Sequence, residues 1–212
     1  MKITVFGATG RIGSRIVTEA LNRGHEVTAA VRNPENFTGH EPHLGVIKAD
    51  IFNSQDVATA AFDHDVVVSA YSNTHGAQPS TIVEVAVPLI NGVKEAGVKR
   101  LFIVGGAGSL EVAPGLQLVD APNFPQEYKA TANAHRDALK VYQQEKDLEW
   151  TYLSPAIEIA PGERTGKYRT GADQVLFDEH GKSFISMEDY AIAVLDEIED
   201  PKHSRARFTV AW

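Results

Sequence analysis

Three glycines near the amino terminus have the spacing that brings a backbone against a diphosphate. They lie in Gly7-Ala8-Thr9-Gly10-Arg11-Ile12-Gly13. In this pattern Gly7 permits the tight turn, Gly10 lets the main chain approach the phosphates, and Gly13 lets the following helix pack closely. Thr9, Arg11 and Ile12 lie between them, where unpaired N–H groups and the positive end of a helix dipole favour an anion. A second indicator is Arg32, which follows the apolar run 29–31. An acidic residue there holds the ribose 2′-hydroxyl of NAD, whereas a guanidinium pairs with a 2′-phosphate. Arg32 therefore favours NADP(H) over NAD(H), with NAD(H) left open, and Arg11 can reach the same phosphate. As ordinary residues, both arginines would be solvated surface charges. Asp50 and Ile51 are placed for the adenine edge, although a carboxylate at Asp50 is also favourable simply because a helix follows.

Further candidates stand where strands end. Ala70, Tyr71, Gly105, Pro155 and Ala156 would wall a crevice, with Tyr71 either near the nicotinamide or in edge packing. Gly105-Gly106-Ala107-Gly108 leaves room for a flat ring, and Ser109 can hydrogen-bond it or cap local backbone. Tyr128, Ala132, His135, Leu139 and Tyr142 are spaced 4, 3, 4 and 3, so they share one helical stripe. On that stripe His135 is either a core histidine or a proton donor at a pocket edge, and Tyr128 either packs or lines the pocket. Lys167 and Arg169 can attract an anionic substrate or stay solvated. No pair of histidines has metal-ligand spacing with a carboxylate, so no metal is expected.

The elements that must position these residues alternate from the start. Strand-like runs fall at 2–6, 26–31, 45–49, 65–70, 99–104 and 149–154, with a last strand at 207–211. Helical patterns lie after the glycine turn and at 54–62, 80–96 and 126–144. Ser186 and Asp189 form a capping pattern for a helix to about residue 198. Several strands are nearly all apolar, as in Val66-Val67-Val68, which is expected when helices cover both faces. The alternation predicts an α/β fold: a Rossmann-type doubly wound parallel sheet in three αβα layers, with small C-terminal loops on the substrate side. Ligands on such sheets sit beyond the carboxyl ends of the strands. Two long loops, 105–125 and 156–183, are expected to shape the substrate pocket.

Composition narrows the class. The chain has 212 residues, suited to a single domain over 1–212, and 43% are hydrophobic. It contains no cysteine, which excludes disulfides and thiolate metal sites. A formal charge of −8 argues against a nucleic-acid surface. No apolar run approaches the roughly 20 residues a membrane helix needs, and no secretory h-region is visible. The expectation is a cytoplasmic protein, monomer or homodimer, acting on a small molecule with no membrane partner.

These residues resemble the atypical short-chain dehydrogenase/reductase superfamily, which binds NAD(P). The marks are the 7–13 turn, Ala29-Ala-Val-Arg32-Asn-Pro34 and Gly97-Val-Lys-Arg-Leu-Phe-Ile-Val104. Within it, the segments 104–109, 154–156, 166–171 and 185–191 are most similar to the NADH-flavin reductase group. Biliverdin reductase B and the NmrA-like proteins are more distant. The resemblance implies hydride transfer, and a serine at the corresponding loop of biliverdin reductase B supports Ser109. One departure stands out. The superfamily's typical Tyr-x-x-x-Lys pair would start at Tyr128, but Ala132 stands four residues on. A simple ketone, which needs that acid, is thereby disfavoured. A flavin, quinone or enone delocalises the incoming charge, and the flavin would be a substrate rather than a bound prosthetic group. An NmrA-like sensor, which binds the dinucleotide without turnover and signals to a protein partner, is the alternative.

Overall fold

A computed structural model, describing residues 1–73 and 77–212, shows one eight-stranded sheet between helical layers. In chain order the elements begin β1 (Lys2–Phe6), α1 (Arg11–Asn22), β2 (Glu26–Val31), β3 (Leu44–Lys48), α2 (Ser54–Ala61) and β4 (Val66–Ser69). Next come α3 (Thr81–Glu84), α4 (Ala86–Glu95), β5 (Arg100–Val104), β6 (Glu111–Ala113), β7 (Leu116–Gln117) and α5 (Gln126–Gln144). The chain continues through β8 (Glu149–Ser154), β9 (Glu158–Ala160), β10 (Arg169–Gly171), β11 (Phe184–Ser186), α6 (Met187–Glu199) and β12 (Ala206–Ala211). The sheet order is β10-β12-β8-β5-β4-β1-β2-β3. All neighbours are parallel except β10, which runs antiparallel to β12. The chain winds outward from β1 through β2 to β3, then crosses back to β4 beside β1. That reversal opens a crevice over the carboxyl ends of β1 and β4.

Side chains alternate between the two faces of the sheet. Val66 and Val68 join Phe102, Val104 and the apolar stripes of α1 and α6. Val67, Leu101 and Ile103 join α2, α4 and α5 on the other face. The continuous apolar runs of β4 and β5 are thus explained by cover on both sides. The helical pattern 80–96 is divided into α3 and α4 at Val85. Pro88 has no N–H to donate to Glu84, so the ladder is interrupted there. Helix α1 stops where Gly24 takes φ +79°, and the His25 N–H closes onto the Ala20 carbonyl at 3.0 Å.

The two long loops are tied down. The Glu111 N–H donates to the Asp173 carbonyl at 2.8 Å, and the Val175 N–H donates to the Glu111 carbonyl at 2.9 Å. Segment 162–168 folds back over α1 and α6. Asp189, fully buried, accepts from the N–H groups of Thr165 and Gly166 at 2.8 and 2.9 Å and from the Trp212 indole at 2.7 Å. Arg164 reaches Glu19 with two bonds of 2.9 and 2.8 Å, and Arg23 holds the same carboxylate at 2.8 Å. The bonds from Arg164 and then Arg23 hold the Glu19 carboxyl below its ordinary range against the opposing effect of burial. Arg164→Ala is expected to cost about 1 kcal/mol at neutral pH, since Arg164 is largely exposed while Glu19 keeps Arg23. A group whose folded pKa is lowered contributes stability above its unfolded pKa and loses it in acid. The difference between parent and variant is therefore expected to be full at pH 6 and to shrink as pH falls below the ordinary glutamate value of 4.5. Urea melts at both ends of that range check it.

Candidate functional site

The glycine turn lies at the switch point and is sterically committed to glycine at two positions. Gly7 has φ +78°, and a Cβ there would lie 2.5 Å from the Ala70 carbonyl oxygen. A Cβ on Gly13 would lie 2.0 Å from the Gly7 carbonyl oxygen. The Gly10 N–H closes the turn onto that same oxygen at 2.9 Å. Gly10 then caps α1 with no side-chain hydrogen bond, and no acidic residue occupies the first turn. The leading N–H groups of α1, at Arg11 and Ile12, have no capping side chain. A tight glycine turn that sets α1 close to β1 and leaves its leading main-chain donors uncapped fits a diphosphate. Thr9 and Arg11 are exposed at its rim.

Arg11 and Arg32 are both exposed. Ion pairs along α1 involve Arg15 with Glu188 and Arg23 with Glu19, Asp196 and Glu199 instead. Among the described residues neither Arg11 nor Arg32 has a carboxylate partner. Asp50 is half-buried; its Oδ1 accepts from the Phe52 N–H at 3.0 Å, and its own N–H donates to Asp56 at 2.9 Å. These bonds shape the turn before α2. Ile51 is buried in the core. Phe52 meets the edge of Tyr71, with ring centroids 5.7 Å apart. Ala70 and Tyr71 follow β4, while Pro155 and Ala156, both buried, follow β8.

The glycines after β5 are packed tightly on the side where a Cβ would stand. Protein side chains occupy that side. A Cβ on Gly105 would lie 2.0 Å from the Tyr152 ring, one on Gly106 2.8 Å from the His135 ring, and one on Gly108 2.7 Å from Ala132. Small residues here admit α5 and β8 at close range. The cavity between these elements has a volume of only about 10 Å³; its lining mixes Ser69, Tyr71, His135 and Tyr152 with apolar residues such as Ile82 and Ile103. That is room for about one water. An aromatic ring does not fit in that space.

His135 is half-buried, and its ring rests on Gly106. The Tyr152 hydroxyl donates to the His135 carbonyl at 3.0 Å, and its oxygen stands 3.3 Å from His135 Nδ1. Burial pushes His135 down to about 4, so its ring is neutral at neutral pH. It is not a protonated acid there. Because the folded ring resists the proton that an unfolded histidine takes up, stability is expected to fall as pH drops from 6.5 towards 4. Urea unfolding of a His135→Phe variant should show a shallower acid slope over that interval.

Ser109 is buried, and its Oγ accepts from Arg207 at 3.2 Å. Arg207 also pairs with Asp173, so one side chain of β12 clasps both long loops. Sequence reasoning missed Arg207; the available signal was a charge inside an apolar strand, which needs a buried partner. Tyr128 is 61% exposed at the first turn of α5. The stripe that begins with it passes through half-buried Ala132 and His135 to buried Leu139 and Tyr142. Arg169 is spent on the carbonyls of Trp212 and Phe177, whereas Lys167 is exposed.

A parallel sheet that reverses at β1, with a glycine cradle at the reversal, defines a Rossmann-type dinucleotide-binding protein. The chain belongs to the NAD(P)H-binding family, whose model matches residues 7–201. It is similar to Bacillus subtilis YwnB, with 45% identity over 99% of this chain and 98% of that one. A Burkholderia pseudomallei structure, provisionally described as an exported protein, is 51% identical with TM-score 0.92 and full coverage of both chains. A Streptococcus pneumoniae structure, provisionally described as an NADH-flavin reductase, is 35% identical with TM-score 0.88, covering 100% of this chain and 99% of that one. Among the described residues no helix is long and apolar enough to cross a membrane.

Proposed function

We propose that this protein is an NADPH-dependent reductase of a flavin or a similarly conjugated acceptor. The observation that carries the reading is the crevice itself: a diphosphate-binding turn at one end and, at the other, no side chain among the described residues poised as a strong acid. Tyr128 has no lysine one turn on, and burial keeps His135 neutral. Such a site suits an acceptor that spreads the incoming charge and takes its proton from water. A reduced nicotinamide supplies a hydride, a proton with its electron pair, and leaves oxidised while the acceptor is reduced.

The chain's own contribution is positioning. Gly7, Gly10 and Gly13 seat the diphosphate on α1, and the N–H groups of Arg11 and Ile12 bind it. Arg32, with Arg11, receives the 2′-phosphate. Asp50 and Ile51 border the adenine, and Tyr71 and Pro155 border the nicotinamide. His135 is the polar group we assign to the acceptor, with Tyr128 at the mouth of the crevice. Ser109 we assign to holding the loop, because Arg207 already engages its hydroxyl. The relative described as an NADH-flavin reductase supports the choice of acceptor.

The test is to mix purified protein with NADPH and excess FMN and follow the reduced-nicotinamide absorbance band. Oxidation well above the uncatalysed rate is expected. NADPH binding without turnover across flavins, quinones and enals would overturn the reductase reading and leave a dinucleotide sensor.

A further inference from the structure

Strand β12 carries a single charge, Arg207, in the run Ala206-Arg207-Phe208-Thr209-Val210-Ala211. Its register partner on β8 is Tyr152, which packs on the α5 face of the sheet, so Arg207 lies on that face too. All three guanidinium nitrogens are engaged. Nη1 donates to Ser109 Oγ at 3.2 Å, while Nε and Nη2 donate to Asp173 Oδ1 at 2.8 and 2.5 Å. The Arg207 side chain is only 9% exposed, whereas Asp173 is 60% exposed. An ion pair with one arm in water contributes little net stability. Burying a guanidinium carries a desolvation cost, and an apolar side chain of similar volume often fills such a place equally well. What three directional bonds supply instead is fixed geometry.

The parts so fixed belong to both long loops. Ser109 closes the single 3₁₀ turn Ala107–Ser109 that follows β5. That segment is wedged against α5, where a Cβ on Gly106 would lie 2.8 Å from the His135 ring and one on Gly108 2.7 Å from Ala132. Asp173 belongs to the loop 156–183. The main chain of Glu111 stitches the same two loops together, through the Asp173 carbonyl at 2.8 Å and the Val175 N–H at 2.9 Å. The loops leave the carboxyl ends of β5 and β8, which lie beyond β4 on the side away from β2 and Arg32. A dinucleotide laid across the switch point with its adenosine over β2 directs its nicotinamide, and hence the acceptor, towards β5 and β8. Strand β12 itself is four places from β1 in the sheet, roughly 19 Å at the usual spacing between strands, so Arg207 does not touch the diphosphate turn.

We infer, resting on the reductase reading above, that Arg207 is a positioning residue for the acceptor. By clasping Ser109 and Asp173 it makes one body of the two loops and fixes the acceptor side of the crevice, including the segment on which the His135 ring rests. Coenzyme affinity is set elsewhere, at the glycine turn. Loosening the clasp at either end frees both loops together.

The test uses Arg207→Met and, because a strand variant can fail to fold, Asp173→Ala at the exposed end of the clasp. Steady-state turnover with NADPH and FMN gives KM for the acceptor, nicotinamide fluorescence gives NADPH affinity, and amide hydrogen exchange reads the loops directly. The expected result for both variants is a KM for FMN at least about fivefold higher, with NADPH affinity within about twofold of the parent. The amides of Glu111 and Val175 should exchange about tenfold faster, and together, while those of α1 are unchanged. Arg207→Lys keeps the charge but cannot fork between the loops, so it should recover only part of the loss. Acceleration in one loop alone, or in neither, overturns the proposal. So does an unchanged KM with both loops loosened, a fall in NADPH affinity that matches the change in KM, or full recovery by lysine. In each of these cases turnover by the parent leaves the reductase reading standing. Absence of turnover by the parent overturns both.

Discussion

Gly13→Val is expected to weaken coenzyme binding by at least about 100-fold, measured by titrating protein with NADPH and following nicotinamide fluorescence. Even a single added carbon at this position would stand 2.0 Å from the Gly7 carbonyl oxygen. No rotamer relieves a clash with backbone, so α1 must move away from β1. That shift withdraws the helix N-terminus from the diphosphate, and a displacement of about 1 Å can cost two decades where geometry does the work. The same strain should lower stability by about 2–4 kcal/mol, visible as a fall in the thermal midpoint. Gly45→Ala is the control. On edge strand β3 an added Cβ meets nothing closer than 3.7 Å, so binding should be retained.

Arg32→Ala is expected to reduce NADPH affinity by about 10- to 100-fold while leaving NADH affinity within about twofold. A hydrogen bond to a charged group contributes about 1.5–3 kcal/mol, and only NADPH carries the extra phosphate. Arg32 is exposed and has no carboxylate partner among the described residues, so its removal strands no buried charge. Titration with both coenzymes at two salt concentrations checks this. Raising salt should weaken NADPH binding to the parent more than to the variant. Equal losses for the two coenzymes would remove Arg32 from the phosphate site.

Much of the scaffold was legible because its signals are local. The glycine turn, the apolar strands and the Ser186 cap each announce themselves within a few residues, and β1, β2 and β8 run over the residues expected of them. Pro88 marks the division of the 80–96 pattern into two helices, which hydrophobic periodicity alone reads as one. The candidate site was less accessible, because its occupancy is decided by distant residues. Nothing adjacent to Gly105 and Gly106 says that Tyr152 and His135 will fill the space beside them. Ser109 stands 98 positions from the Arg207 that engages it. Tyr128 lies on the stripe as expected, yet the packed face begins only further along the helix, so the ring stays in solvent. A helical repeat fixes which side a residue takes but not how far along that side its cover extends.

The bond between Trp212 and Asp189 gives the protein an optical reporter of its own. The sequence contains two tryptophans, and the other, Trp150, is sealed in the core. Trp212 remains 38% exposed, and its indole is fastened to the carboxylate that also grips Thr165 and Gly166. Red-edge emission and quenching by iodide therefore register whether this strap is seated, without an attached dye, and separate its release from melting of the sheet.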